Sequence, residues 1–195
     1  MGFRMLRLGI LASAVLFVST VSSYGQQRNL SDYKDNLAPY VVSPEHAIDK
    51  MLHMANLKSG ETLYDLGCGD GRILIAAAER YKVKAVGIEI SDHLARTAAE
   101  RVKKAGLQSE VKVVHGSFMH MDLSGADVVT LYLATAANES LRPNLERYLR
   151  PNTRVVSYDY PIPGWKPVDT SESEGRHGAN HTIYLYQVPN SITKK

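Results

Sequence analysis

Seven consecutive residues, Asp65-Leu66-Gly67-Cys68-Gly69-Asp70-Gly71, combine three glycines with two carboxylates between an apolar run and a helical pattern. Glycine lets a backbone turn tightly and approach a ligand closely. Amides gathered at a helix N-terminus favour a polar or anionic ligand group. A dinucleotide fingerprint spaces its glycines G-x-G-x-x-G; here Gly71 and Arg72 make the spacing G-x-G-x-G. Asp65 and Asp70 also place negative charge where a pyrophosphate would sit. The turn therefore suits a ligand with a cationic portion, such as a sulfonium carrying an amino acid, better than NAD or FAD. Glu89 ends the next apolar run, 18 residues after Gly71. An acid at that place accepts hydrogen bonds from both hydroxyls of a ribose. Strand, glycine turn, helix and strand-terminal acid together point to a nucleoside cofactor.

These residues need an alternating scaffold, and the chain supplies one. Ser43 is expected to cap a helix that has Pro44 at its first position and Ile48, Met51, Leu52 and Ala55 on one face. Thr62 to Leu66 reads as a strand, Ile73 to Tyr81 as a helix, and Lys84 to Ile90 as a strand buried on both faces. Ser91 to Ala105 follows as a helix with Ser91 as cap and Gly106 past its end. Further strands are expected over Val111–Val114, Ala126–Leu133 and Thr153–Tyr158, with a helix over Glu139–Leu149 carrying Pro143 in its first turn. His181 to Val188 reads as a closing strand reached without a helix, and the Glu172–Arg176 stretch as a solvated turn. The predicted fold is α/β, a Rossmann-like doubly wound, mainly parallel seven-strand sheet with an antiparallel C-terminal strand.

Composition fits one domain. The chain has 195 residues, 44% hydrophobic and 22% charged, with a net charge of +3 and one cysteine. That balance argues against a broad nucleic-acid or polybasic membrane surface, and a single cysteine forms no intramolecular disulfide. Residues 1–25 read as an export signal: Arg4 and Arg7 precede the apolar run Leu8–Val21, and Ser22, Ser23 and Gly25 suit cleavage. An uncleaved anchor is the alternative, and in either case the domain is expected outside the cytoplasmic membrane or tethered to it. Residues 26–39 read as a linker and 40–190 as the folded domain.

The sequence resembles the class I, seven-strand S-adenosylmethionine-dependent methyltransferases over about Tyr40 to Val188. Within that class, Ala38-Pro39-Tyr40-Val41-Val42-Ser43-Pro44, Tyr64 to Ile73, Val128 to Leu133, Arg154-Val155-Val156-Ser157, Gly164-Trp165 and Asn180-His181-Thr182 occur in an order similar to that of the archaeal protein lysine methyltransferase and the ATP-synthase c-subunit lysine methyltransferases. The sequence departs from that pattern at Val42-Ser43 and at Tyr158. The resemblance implies S-adenosylmethionine as cofactor and a protein lysine as acceptor; methyl transfer from a sulfonium requires no metal, and the near-neutral charge leads to no expected nucleic-acid partner. The resemblance also implies a cofactor set of Asp65, Gly67, Gly69, Gly71, Glu89, Ser117, Phe118 and Thr130, and a catalytic set of Tyr132, Asp159 and Tyr40.

Plainer roles stay open for several of these. Tyr132 at a strand end suits cation–π attraction to an ammonium or packing in the core. Asp159 suits steering of a lysine or solvation in a loop. Tyr40 suits closure over the site or packing on the first helix, and Phe118 suits adenine contact or loop packing. His46, His53, His115 and His120 have no metal-ligand spacing, and Cys68 reads as a small packing residue. The remaining functional alternatives are a small-molecule methyltransferase and a non-catalytic domain that binds a nucleoside or a partner. No Asn/Asp-Pro-Pro-Tyr motif follows the fourth strand, which weakens methylation of base or glutamine amino groups.

Overall fold

The computed structural model describes residues 40–174 and 180–192, the side chain of His120 excepted. The expected export segment and the whole of the expected linker lie outside the described residues. The elements run α1 (Glu45–Met54), β1 (Thr62–Leu66), α2 (Arg72–Tyr81), β2 (Lys84–Glu89), α3 (Asp92–Lys104), β3 (Val111–His115), a 3-10 turn (Phe118–His120), β4 (Val128–Leu131), α4 (Thr135–Tyr148), β5 (Arg154–Tyr158), β6 (Asp169–Glu174) and β7 (Asn180–Gln187). They form a seven-stranded sheet of order β3-β2-β1-β4-β5-β7-β6. The first five strands in that order are parallel, and β7 pairs antiparallel with both β5 and β6. The strand order reverses around β1 and β4, so the crevice that binds ligands in such sheets opens at their carboxyl ends.

Apolar residues explain the layers. Ile48, Met51 and Leu52 of α1 and Leu74, Ala77 and Ala78 of α2 join Leu63, Val128, Val156 and Ile183 in one core. Leu141 and Leu145 of α4 join Leu66, Ile88, Val129, Leu131 and Val155 in the other. Burying each large aliphatic side chain contributes on the order of 2 kcal/mol, so the two cores fix the sheet between its helices.

Four expectations change. Pro44, not Ser43, is the N-cap of α1, and its carbonyl accepts from Ala47 N and Ile48 N. Strand β4 is limited to Val128–Leu131, which leaves Leu133 free to turn against Gly67. Helix α4 begins at Thr135, so Pro143 sits well inside it. Pro143 removes one i→i−4 bond, but Leu141 and Leu145 are fully buried, and Arg142 and Asn144 bond the carbonyls of Pro163, Phe118 and Met121. Glu172 to Glu174, expected in a solvated turn over Glu172–Arg176, instead end the polar edge strand Asp169–Glu174, and residues 175 and 176 lie outside the described residues. The β propensity of this strand is poor, yet six residues pair with β7, and Lys50 and His46 of α1 meet the carbonyls of Glu172 and Glu174.

Candidate active site

Every strand of the parallel set delivers a candidate residue to the carboxyl edge. Asp65 lies in β1 and Gly67 to Gly71 follow it. Glu89 ends β2, Ser117 and Phe118 follow β3, Tyr132 follows β4, and Asp159 follows β5.

Asp65 is 3% exposed, and Thr130, its register partner on β4, donates its hydroxyl to Oδ1 at 2.8 Å. Burial pushes the Asp65 carboxyl up to about 7, the charges of Glu89 and Asp70 add to this, and the Thr130 bond opposes it. Thr130 is fully buried, so it positions Asp65 from beneath the floor of the site. A buried carboxyl held near neutrality becomes ionised when a cation arrives beside it.

Asp70 behaves differently. Its side chain pairs with Arg72 at 2.7 Å and with Arg101. Burial acts to raise its carboxyl, but the bond and charge of Arg72 and the charge of Arg101 outweigh this and hold it below the usual range. Its negative charge is therefore spent inside the protein, which corrects the expectation that both acids face the ligand. Arg72 also donates to the Ser43 carbonyl at 3.1 Å, tying the segment before α1 to the glycine turn.

The glycines divide their work. Gly67, Gly69 and Gly71 have φ of +82°, +54° and +77°, a region that L side chains rarely adopt. An ideal Cβ on Gly71 would lie 3.1 Å from Ala98 Cβ, so this glycine lets α2 start against α3. A Cβ on Gly69 would lie 2.6 Å from the Tyr40 ring, which covers the turn. Tyr40 thus belongs with the glycine turn, 44% exposed beside Asp70, Arg72 and Arg101. Gly69→Ala is expected to cost the fold roughly 1–2 kcal/mol through left-handed backbone strain and to lower cofactor affinity, because the added methyl displaces the Tyr40 ring that covers the turn. Calorimetric titration checks this; an unchanged affinity would remove Gly69 from the ligand path.

Glu89 is 6% exposed, and its two oxygens accept from Gly69 N at 2.8 Å and Ser91 N at 2.9 Å. It clamps the glycine turn to the end of β2. Each carboxylate oxygen has a second lone pair, which leaves capacity for ligand hydroxyls. Ser117 caps the 3-10 turn by accepting from Met119 N at 3.3 Å. Phe118 is 7% exposed and its ring edge lies 4.0 Å from the Gly67 Cβ position. Cys68 is buried, and burial together with the Asp65 and Glu89 charges pushes its thiol far up, consistent with packing. Gly87 on β2 makes room for it, since a Cβ there would lie 2.6 Å from Cys68 Sγ.

The second half of the site is aromatic. Tyr132 meets Tyr158 edge-on at 4.8 Å between ring centroids and stacks on Tyr160 at 6.3 Å. Burial, then the charge of Asp159, pushes the Tyr132 phenol up to about 12, so the hydroxyl stays protonated. Asp159 has φ +69° and its N–H donates to Thr182 O at 2.7 Å. Its carboxylate lies 3.0 Å from His181 Nδ1 at the start of β7. Asn138 of α4 donates to Tyr160 O at 3.1 Å and Pro161 O at 3.3 Å, and Ser157 donates to Tyr160 O at 2.5 Å. Residue types and spacing do not single out Arg72, Arg101, Asn138 or His181 for roles here. His181 lies within the Asn-His-Thr match, which is the one sequence signal for it.

The donor set fits S-adenosylmethionine. Asp65 presents a carboxyl to a cationic group, Glu89 presents lone pairs to hydroxyls, and the glycine backbone leaves space beside them.

The chain matches the ANTKMT methyltransferase domain over residues 65–169. It is 45% identical over 151 residues to a protein-lysine N-methyltransferase of Saccharolobus islandicus, covering 77% of this chain and 93% of that protein. It is 30% identical over 164 residues to the human ATP-synthase c-subunit lysine N-methyltransferase, covering 77% of this chain and 70% of that one. Among solved structures, it is similar to an RNA methyltransferase from Salinibacter ruber in complex with S-adenosyl-L-homocysteine, with TM-score 0.74, 39% identity, and 80% and 98% of the two chains covered. The glycine turn clamped by Glu89 and floored by Asp65 thus stands in a chain that belongs to the ANTKMT methyltransferase domain family as an S-adenosylmethionine-dependent methyltransferase.

Proposed function

We propose that the acceptor is the side-chain amine of a protein lysine. The observation that carries this reading is the pair Tyr132 and Tyr160, backed by the buried ring of Tyr158, with the Asp159 carboxylate at its rim. Ring faces attract an ammonium, by about 0.5–2 kcal/mol depending on desolvation, and the carboxylate adds charge attraction. The similarity to two lysine methyltransferases supports the same reading.

S-adenosylmethionine supplies a methyl on a positively charged sulfur. What remains for this chain is alignment and proton handling. Asp65, Glu89 and the glycine turn hold one reactant; Tyr132 and Asp159 hold the other, and such alignment contributes roughly 7–11 kcal/mol in favourable cases. A lysine ammonium has no lone pair and ordinarily titrates near about 10.4. The ring faces and the Asp159 carboxylate favour that charged form on binding, so the attacking amine forms only when Nζ passes a proton to Asp159 or to water.

Tyr132 variants test the reading. Tyr132→Phe keeps the ring face and is expected to retain most tritium transfer from labelled S-adenosylmethionine to protein. Tyr132→Ala removes the face and is expected to lose about tenfold or more, at the upper end of a cation–π contact. Parental rates in both variants would make Tyr132 a packing residue only; equal large losses would assign the effect to the hydroxyl.

Location is part of the same proposal. Arg4 and Arg7 before the apolar run favour export or tethering of the domain outside the cytoplasmic membrane. A fusion of residues 1–35 to a reporter that works only outside the cytoplasm is expected to be active. A silent reporter would return the domain to the compartment where its cofactor is made.

A further inference from the structure

Among the described residues at this edge, His181 is the chemistry-bearing side chain that neither cofactor clamping nor the aromatic group accounts for. Its ring stacks on Tyr158 at 5.3 Å with an interplanar angle of 21°, continuing the row Tyr160, Tyr132, Tyr158. Its Nδ1 lies 3.0 Å from Asp159 Oδ1, with the two side chains 23% and 25% exposed. Yet that nitrogen is buried and out of line for a hydrogen bond to any described group. Asp159 in turn is fixed from behind, by its left-handed backbone and by its N–H on Thr182 O. A close pair without hydrogen-bond alignment is held by charge. A charged imidazole ring holds the carboxylate firmly, and a neutral one holds it weakly. A primary ammonium, with three freely turning donors, then competes for the same oxygens.

We propose that His181 positions Asp159 as the ion-pair partner of the acceptor ammonium, and that the charge on its ring decides whether the carboxylate is free to take that partner. The proposal rests on the lysine reading of the acceptor. With the ring charged, Asp159 is occupied and the acceptor binds poorly; with the ring neutral, Asp159 turns to the acceptor. Only the charge on the ring differs between these two states, so the effect falls on acceptor KM as the pH of the assay is changed. Other charged or titratable groups around the ring are Asp159 and Tyr158 on the β5 side and Glu172 and Glu174 on β6, which flank its register partner Ser173. Behind them stand Lys50 and His46 of α1, which meet the two β6 carbonyls. All of these persist when only residue 181 is changed.

Two substitutions separate charge from shape. His181→Asn keeps a small polar group, and His181→Phe keeps the ring stacked on Tyr158. In the full-length parent, KM for a lysine peptide cut from a protein it methylates is expected to fall about twofold to fivefold, the size of a part-exposed ion pair, from pH 5.5 to pH 8. Both variants are expected to lose that slope, with kcat at pH 8 within a few-fold of the parent. A purely structural role would lower kcat and leave the slope of KM unchanged. Independently of any acceptor, the ¹³C resonance of the Asp159 carboxyl is expected to step as the ring titrates in the parent and to stay flat in His181→Phe. A KM slope that survives in both variants, or a carboxyl resonance indifferent to residue 181, overturns the proposal. If the parent methylates no lysine at all, the lysine reading falls, and the carboxyl resonance still decides the His181–Asp159 pair.

Discussion

Asp65→Asn is expected to stabilise the ligand-free protein at pH 8 while weakening S-adenosylmethionine binding about a hundredfold. Asn keeps an oxygen for the Thr130 hydroxyl, now at 2.8 Å from Asp65 Oδ1, and it cannot ionise. Asp65 titrates at about 7 in the fold against an ordinary value of 3.8. A carboxyl raised in this way favours the folded state fully below about pH 3.8, and the contribution is lost as pH rises through about 7. At pH 8 the ionised side chain costs up to about 4 kcal/mol, from about 1.36 kcal/mol for each pH unit by which its titration is displaced. Removing the charge recovers part of that in thermal melts. The cofactor loses its carboxylate partner in the same step, and a charge-assisted contact contributes about 1.5–3 kcal/mol. Opposite signs in stability and affinity are the signature of a strained functional group. In the parent, cofactor binding below pH 7 should release a proton, which calorimetry in buffers of different ionisation enthalpy detects. A variant that binds normally would place the cofactor's cationic group elsewhere.

Glu89 should show the reverse pattern, with both quantities falling together. Its oxygens hold the N–H groups of Gly69 and Ser91, so Glu89→Ala leaves two donors without their partner as well as removing the ribose acceptor. Each unsatisfied buried donor costs about 1–3 kcal/mol. The loss of stability is therefore expected at about 2–6 kcal/mol, with affinity down more than a hundredfold. Glu89→Gln separates the two effects. One of its ends is an amide that meets an N–H as a second donor, so the turn loosens while a carbonyl still faces the ligand. Its affinity should fall between the parent and Glu89→Ala; parental affinity in both variants would take the acid out of the site.

The contrast between these acids also shows what the sequence can reveal. Asp65, the glycine turn and Glu89 are close in sequence and bound to a strand–turn–helix unit, so spacing alone places them. The antiparallel ending is legible because no helix separates the residues before β7 from β7 itself. Asp70 is misleading in sequence because its partners Arg72 and Arg101 come together only once α2 packs on α3, through Gly71 against Ala98. Strand β6 escapes a periodicity reading because Asp169–Glu174 is polar on both faces and is held by its ladder to β7. Helix α4 starts four residues before the expected Glu139, because Pro143 resembles a first-turn proline and is an interior one. Asn138 is 19 residues from Ser157 and His181 is 22 from Asp159 in sequence. Their meetings are products of strand order, which periodicity cannot supply.

Site-resolved mass spectrometry of the transferred methyl tests the central claim most directly. The full-length protein is incubated with S-adenosylmethionine bearing a deuterated methyl and with a whole-cell extract, and protein, RNA and small-molecule fractions are analysed separately. The account predicts label on the Nζ atom of protein lysines, lost with Asp65→Asn and sharply reduced with Tyr132→Ala. Label confined to RNA or to small molecules, or no transfer by a protein that binds the cofactor, would contradict it.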